Sequence, residues 1–481
     1  MASEKHTFTL RALPPNFPIL WRGDTGYERS RIGRVFNYRR PSRYPIAVVE
    51  ATTEEHIVEA VRLADEIGCR ISVRSGGHSW AVWSVREGAI LIDLGRYHEL
   101  SLDEKTGIAK VSPSTTGRLA NKLLGASGRM FPGGHCPEVG LGGFLLQGGM
   151  GWNCKNWGWA CERVLAVDVV TASGTRLHCD KKENSDLYWA ARGAGPGFPA
   201  VVTRFYLQTI PSFSHIRSSA YIYEKKDYRE AFEWIIKIAP TFDESTEIVA
   251  VAAYPPGLSE LHITVLLVTL KNSESDARAA LQPAEDSAPA GHVDKWFCKE
   301  SSLAQEYDAQ HAANPMSHRY CTDNCYIKND ADVVSVLQEA FTSLPSRKSF
   351  SLWYSMAPCS RRSAEQGTME DMALSMQSDH YFAAYAIWED DADDTRCQTW
   401  VREIFKEAEK HSDGSYLGDS DFQVRRTRYW GGEQGRKLMK LRREWDPQGR
   451  IAGYLDQGDK SGTEGLANEQ EWQTFETAQD A

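Results

Sequence analysis

The stretch Arg74-Ser-Gly-Gly-His-Ser-Trp80 places two glycines and a histidine directly behind Arg70-Ile-Ser-Val73, which alternates like a strand. Gly76 and Gly77 let the backbone turn with positive φ and come close to another group. Successive free N–H groups in such a turn make an anion nest. Taken alone, the motif suits a tight turn with a surface histidine better than a binding loop.

Working outward, Ile46-Ala-Val-Val49 is a short apolar run, and Thr52-Thr-Glu-Glu55 has capping-box spacing. Ile57, Ala60, Val61, Ala64 and Ile67 recur at helical period up to Gly68. Strands are expected at 89–94 and 108–112, a strand and turn over 164–174, and a helix near 115–126. Beyond Pro211 the pattern changes. The segments 349–356 and 380–388 alternate with period two, and Tyr381, Ala383, Tyr385 and Ile387 share one face. Such strands suit an antiparallel sheet. Glu389-Asp-Asp-Ala-Asp-Asp394 reads as a solvated turn, and residues 458–481 as a polar surface tail.

A chain of 481 residues is long enough for two or three domains. Its net charge of -10 argues against a nucleic-acid partner, which leaves a basic footprint. The longest apolar run, residues 261–270, is too short to span a bilayer, so no membrane partner is expected. The N-terminus has no apolar signal-type region, which points to an intracellular, cytoplasmic protein, or a secreted one if a leader has been removed. The ten cysteines are scattered and read as reduced thiols. Cys321 and Cys325 lack a second pair at zinc spacing, so no metal site is expected.

Glycine-rich loops recur at Gly140-Leu-Gly-Gly143, Gly148-Gly-Met-Gly151 and Gly193-Ala-Gly-Pro-Gly197. Turns alone do not explain this density. Gly195 to Ala200 matches G-x-G-x-x-A in letters, but it follows a helix, precedes a strand and contains Pro199, so a nicotinamide-type dinucleotide fold does not fit. His78 and Cys136 each sit in such a loop, and both side chains are nucleophiles capable of covalent attachment. A small buried residue is the plainer reading of Cys136.

Four motifs in this order resemble the FAD-linked oxidases of the berberine bridge enzyme-like group in the vanillyl-alcohol oxidase superfamily. They are RSGGHSW, GGHCPEVGLGGFLLQGGMGWN, AVDVVTASG and SDLYWAARGAGPGFPAVVTRF. The C-terminal SYLGDSDF and RTRYWGGEQGRKLMKLRREWDPQGRIAGYL look like the closing part of the same domain. The resemblance implies an α+β fold with a PCMH-type FAD-binding domain in two chain parts, residues 1–211 and 415–481. The second part includes the polar tail. A substrate domain of antiparallel sheet flanked by helices, residues 212–414, lies between them.

It further implies FAD bonded at its 8α carbon to His78 and at carbon 6 to Cys136. Arg74, Ser75, Gly76, Gly77, His78 and Ser79 match the pyrophosphate loop. Gly140, Gly142, Gly143, Gly148 and Gly149 match the second loop. Val169 matches the adenine end, and Tyr454 lies in the closing segment. Val139 matches an oxygen gate of the permissive type, which implies molecular oxygen as a partner beside a small organic substrate. The cofactor carries the redox step; the protein supplies position and electrostatics.

Many members of the group carry Tyr-x-Asn-Tyr near the C-terminal part, where this chain has Tyr416-Leu-Gly-Asp419. The proton acceptor therefore stays open among Tyr416, Asp419, Asp421, Tyr381, Tyr354, Tyr385 and Asp323. Three functions remain in view. One is an oxidase acting on an alcohol, amine or ring carbon in secondary metabolism, or on a sugar. The second is a flavoprotein of the same fold catalysing isomerisation or cyclisation. The third is a non-catalytic flavin-binding protein.

Overall fold

The computed structural model describes residues 12–425 and 427–453. Tyr454 and the tail expected at 458–481 lie outside the described residues. Three sheets organise the chain. The first has the order Ile19–Trp21, Ala47–Glu50, Ile90–Asp93, Ile71–Arg74. Its last three strands run parallel, and Ile19–Trp21 joins antiparallel. The parallel strands need a crossover, which helix Glu54–Ile67 supplies.

That helix starts one residue later than the capping-box spacing suggests. Thr53, not Thr52, is the N-cap and accepts from the His56 N–H. His56 Nδ1 in turn accepts from the Thr52 N–H at 3.3 Å, so an imidazole takes the place expected for a glutamate. Gly68 ends the helix in the left-handed region at φ 76°.

The second sheet is antiparallel and runs Leu100–Asp103, Ile108–Val111, Ala200–Gln208, Val164–Thr171, Arg176–Cys179. The third is an eight-stranded antiparallel sheet lying between His215 and Gly414. Strand His380–Trp388 pairs with Phe350–Ser355 on one side and Arg319–Ile327 on the other. Its period-two pattern splits cleanly. Phe382, Ala384, Ala386 and Trp388 face a core shared with Phe232, Phe341 and Phe405 from three helices. Tyr381, Ala383, Tyr385 and Ile387 face the opposite way, into a second cluster with Tyr416 and Met150. A pleated strand can serve both because successive side chains point to opposite faces.

Two local expectations change. Cys321 and Cys325 both lie buried on strand Arg319–Ile327. Four residues along a strand separates them by about 13 Å, too far for one metal ion. The acidic run at 389–394 is not wholly solvated. Asp394 accepts from Trp388 Nε1 at 2.7 Å and pairs with Arg319 at 2.6 Å. It then opens helix Asp394–Ala408.

After the large sheet the chain returns to the first two. Trp430, fully buried, donates from Nε1 to the Gly193 carbonyl at 2.9 Å. Helix Gly432–Trp445 buries Leu438, Met439 and Leu441, and Arg442 bonds the Gly197 carbonyl at 2.6 Å. Ile451 then bridges to Ile71, the first residue of the strand that leads into Arg74-Ser-Gly-Gly-His.

Candidate active site

The glycine pair sits where two loops touch backbone to backbone. A Cβ on Gly76 would lie 2.5 Å from the Gly140 nitrogen. Gly77 has φ +80°, and a Cβ there would lie 1.8 Å from the Arg34 carbonyl oxygen. Nothing larger than glycine fits either position. Loop 136–140 is fixed from the other side: Gly117 donates to the Val139 carbonyl at 3.3 Å and Arg118 to the Pro137 carbonyl at 3.1 Å.

These loops line a long cavity bounded by all three sheets. Ser75, Gly76, Gly77, His78 and Ser79 form one wall with Cys136, Val139, Gly140, Gly142 and Gly143. Tyr354, Tyr381, Tyr385, Tyr416 and Asp419 line the same cavity, with Asp419 close enough for its charge to act on Cys136. Among the described residues, none accepts a hydrogen bond from the backbone N–H groups of Gly76, Gly77, His78 or Ser79. Unpaired backbone donors beside a cavity are costly unless a ligand anion meets them. The cradle suits a diphosphate.

Arg74 lines the same cavity, but its guanidinium is engaged behind the loop. It bonds Asp93 at 2.6 Å, the Arg31 carbonyl at 2.6 Å and the Ser30 carbonyl. Arg74 therefore braces the loop and has little left to offer an anion.

His78 stacks on Phe36 with ring centroids 4.5 Å apart. Burial, with a smaller push from the Arg34 charge, drives its pKa down to about 4. The ring is neutral at pH 7 and keeps a nucleophilic lone pair. Burial pushes the Cys136 thiol up to about 12, aided by the charges of Asp419 and Glu138. Reaction at that sulfur needs a base to take its proton.

Other positions named from the sequence fall elsewhere. Gly148 and Gly149 are not on the cavity wall; their carbonyls accept from Cys161 and Ala160 and shape the turn behind it. Val169 is buried in the second sheet, and its cross-strand partner Val202, one strand nearer the loops, reaches the cavity instead. Asp421 and Asp323 are also off the wall. Asp421 is fully buried and paired with Arg39 at 2.5 Å; Asp323 is paired with Arg425 at 2.8 Å. Each is charge-paired with its own guanidinium.

The titratable groups converge on Asp419. Tyr381 Oη donates to Asp419 Oδ2 at 2.6 Å, Tyr385 stands beside the same carboxyl, and Trp80 Nε1 donates to the neighbouring Gly418 carbonyl at 3.1 Å. Burial raises the Asp419 pKa above the ordinary carboxylate value, against the pull of the two tyrosines. Burial raises Tyr381, Tyr385, Tyr354 and Tyr416 well above 10, with the Asp419 charge adding to each. Tyr416 Oη accepts from the Met150 N–H at 3.0 Å, which ties it to the third glycine loop.

One cavity pair escaped the sequence reading. His135 Nε2 lies 2.9 Å from Glu247 Oε1, and Glu247 Oε2 accepts from the Asn153 N–H at 2.6 Å. His135 also packs on Trp152, with centroids 4.4 Å apart. Its place beside Cys136 was a usable signal. Glu247, in strand Thr246–Ala253, offered none.

A family model described as an FAD binding domain matches residues 45–180. The chain is 40% identical over 440 residues to the FAD-linked oxidoreductase ptmO of Penicillium ochrochloron, covering 91% of this chain and 96% of that protein. The chain belongs to the FAD-linked oxidoreductases. Solved structures agree on the fold of this oxidoreductase. Physcomitrella patens BBE-like 1 superposes with a TM-score of 0.76 at 19% identity, covering 92% of this chain and 96% of that one. The carbohydrate oxidase of Microdochium nivale superposes with a TM-score of 0.75 at 24% identity, covering 91% and 96%. The fold is thus the PCMH-type α+β arrangement expected above, and the cofactor is FAD. Of the residues present, the 75–79 loop fits its diphosphate and the His78–Cys136 end fits its ring.

Proposed function

We propose that this oxidoreductase is an oxidase holding FAD through two covalent bonds, one to His78 and one to Cys136. The observation that carries this reading is that both nucleophiles stand on one cavity wall, with the Asp419 cluster at the same end. When bound, FAD supplies the hydride acceptor and hands the electrons to molecular oxygen, giving hydrogen peroxide. The rest belongs to the chain. Asp419 takes the substrate proton at Oδ; Tyr381 and Tyr385 hold that carboxylate in place and favour its ionised form. Val139, on the same wall, leaves oxygen a small apolar neighbour.

The substrate end supports a small organic alcohol, amine or ring carbon with an apolar body. Met316, Phe350, Leu352 and Trp80 offer apolar surface, and Asp419 with its tyrosines supplies polar groups to orient a substrate. The first test is acid precipitation of the purified protein. Yellow colour should stay in the pellet, survive either His78→Ala or Cys136→Ala alone, and disappear in the double variant. Colour found only in the supernatant would refute both tethers. Anaerobic bleaching by a substrate, then recovery with one peroxide per turnover in air, would establish net oxidation. Product formed without bleaching would favour isomerisation or cyclisation.

A further inference from the structure

Behind the wall at Met150 and Tyr416 lies a core rich in sulfur. Met150, Cys154, Cys161, Met356, Cys359 and Met372 are buried in one cluster. Two of its thiols meet from distant parts of the chain. Cys154 opens the short helix Cys154–Trp157, just after the glycine loop that carries Met150. Cys359 opens the turn Cys359–Arg361, on the connection between strands Phe350–Ser355 and His380–Trp388 of the large sheet. Helix Cys154–Trp157 packs against the turn Cys359–Arg361, so both thiols lie together in this cluster.

Cys359 Sγ faces Gln377 Oε1 at 4.0 Å and has one charged donor. Arg362 Nη2 reaches it at 3.1 Å, while the same guanidinium forks onto Glu162 at 2.6 and 3.0 Å. A sulfur that accepts from a guanidinium is favoured as thiolate. The neighbouring Cys154 thiol, then the Arg362 charge, hold Cys359 below the ordinary thiol pKa against burial and Glu162; burial holds Cys154 well above it. The third thiol, Cys161, turns to Met372 Sδ at 3.7 Å. None of these groups has a part in the proposed oxidation.

We propose that Cys359 and Cys154 are a peroxide-oxidisable pair that closes to a disulfide, joining the glycine-loop side of the cavity to the large sheet. In the first step the Cys359 thiolate attacks one oxygen of hydrogen peroxide. An S–O bond forms, the O–O bond breaks and hydroxide leaves, giving a sulfenic acid at Cys359. In the second step the Cys154 sulfur gives up its proton and attacks the Cys359 sulfur. The S–S bond forms, the S–O bond breaks, and the departing hydroxide leaves as water with that proton. Two thiols lose two electrons and two protons, and one peroxide becomes two waters. Supply of peroxide during turnover rests on the oxidase reading above. The reactivity of the pair does not, and added peroxide tests it separately.

The experiment treats reduced, full-length, flavin-loaded protein with hydrogen peroxide. Free thiols are blocked with iodoacetamide after unfolding, and peptides are mapped without reduction. A peptide linking Cys154 to Cys359 is expected to accumulate faster than the half-buried Cys69 thiol is lost. The Cys154→Ser variant should instead accumulate sulfenic acid at Cys359, trapped by dimedone. Arg362→Gln should slow the linkage at least fivefold, and Arg362→Lys should restore most of the rate. Recovery of Cys154 and Cys359 as alkylated thiols after Cys69 has oxidised would overturn the proposal, and this readout needs no variant to fold. A protein that makes no peroxide of its own, yet links the two cysteines when peroxide is added, would refute the oxidase reading and leave the pair standing.

Discussion

Tyr381 donates a 2.6 Å hydrogen bond to Asp419, joining the cavity face of the large sheet to the loop that starts the chain's return. The carboxyl is buried, and that burial raises its pKa above the ordinary carboxylate value. Replacing it with the isosteric amide removes the proton acceptor and keeps the shape. Asp419→Asn should slow substrate-driven flavin bleaching by about 10²–10⁴-fold, the usual range for losing a general base. Tyr381→Phe should slow it about tenfold or more, since a hydrogen bond to a charged group contributes roughly 1.5–3 kcal/mol. Stopped-flow absorbance on acid-stable yellow protein measures both; unchanged bleaching in Asp419→Asn would assign the base elsewhere.

The same burial has a signed consequence for pH. The Asp419 pKa is raised in the folded state, so the folded protein holds this proton more tightly than the unfolded chain does. Stability from this group is fully present below the unfolded carboxylate pKa and is lost as pH rises through the folded value. Asp419→Asn should therefore melt higher than the parent at neutral pH, and the two should converge in acid. The bleaching rate of the parent should rise with pH over the same window, as the carboxylate ionises. Melting curves and bleaching rates across a pH series check both signs.

Arg74 and Asp93 test whether the loop's arginine braces or binds. Both side chains are buried, and they pair at 2.6 Å. Arg34 also pairs with Asp93, so losing Arg74 leaves that carboxylate one guanidinium but strips the Arg31 and Ser30 carbonyls of their donor, a cost of about 1–3 kcal/mol each. Arg74→Met should lower the urea midpoint by a corresponding amount, and the molecules that remain folded should retain flavin. Loss of flavin without loss of stability would instead make Arg74 a ligand to the cofactor.

Gly77 should tolerate no substitution. Its φ of +80° alone costs a non-glycine residue about 1–3 kcal/mol, before the 1.8 Å approach of a Cβ to the Arg34 carbonyl is relieved. Gly77→Ala is expected to purify colourless or fail to accumulate. Gly125→Ala is the control: it lies off the cavity wall, a Cβ there meets nothing within 4 Å, and yellow colour should persist.

The sequence by itself determined what depends on near neighbours. Helix Glu54–Ile67, strand His380–Trp388 and the glycine turn at 76–77 are legible because their periodicity and backbone demands are local. The motif set carried the family, and with it FAD. The tertiary structure decided which acid faces the cavity. Asp419, Asp421 and Asp323 read alike in sequence, but Arg39 and Arg425 neutralise the last two, and only Asp419 meets the tyrosines. It also brought Glu247 to His135 and Cys359 to Cys154. Those pairings depend on how strands far apart in the chain lie side by side, and no local pattern of residue types encodes that register.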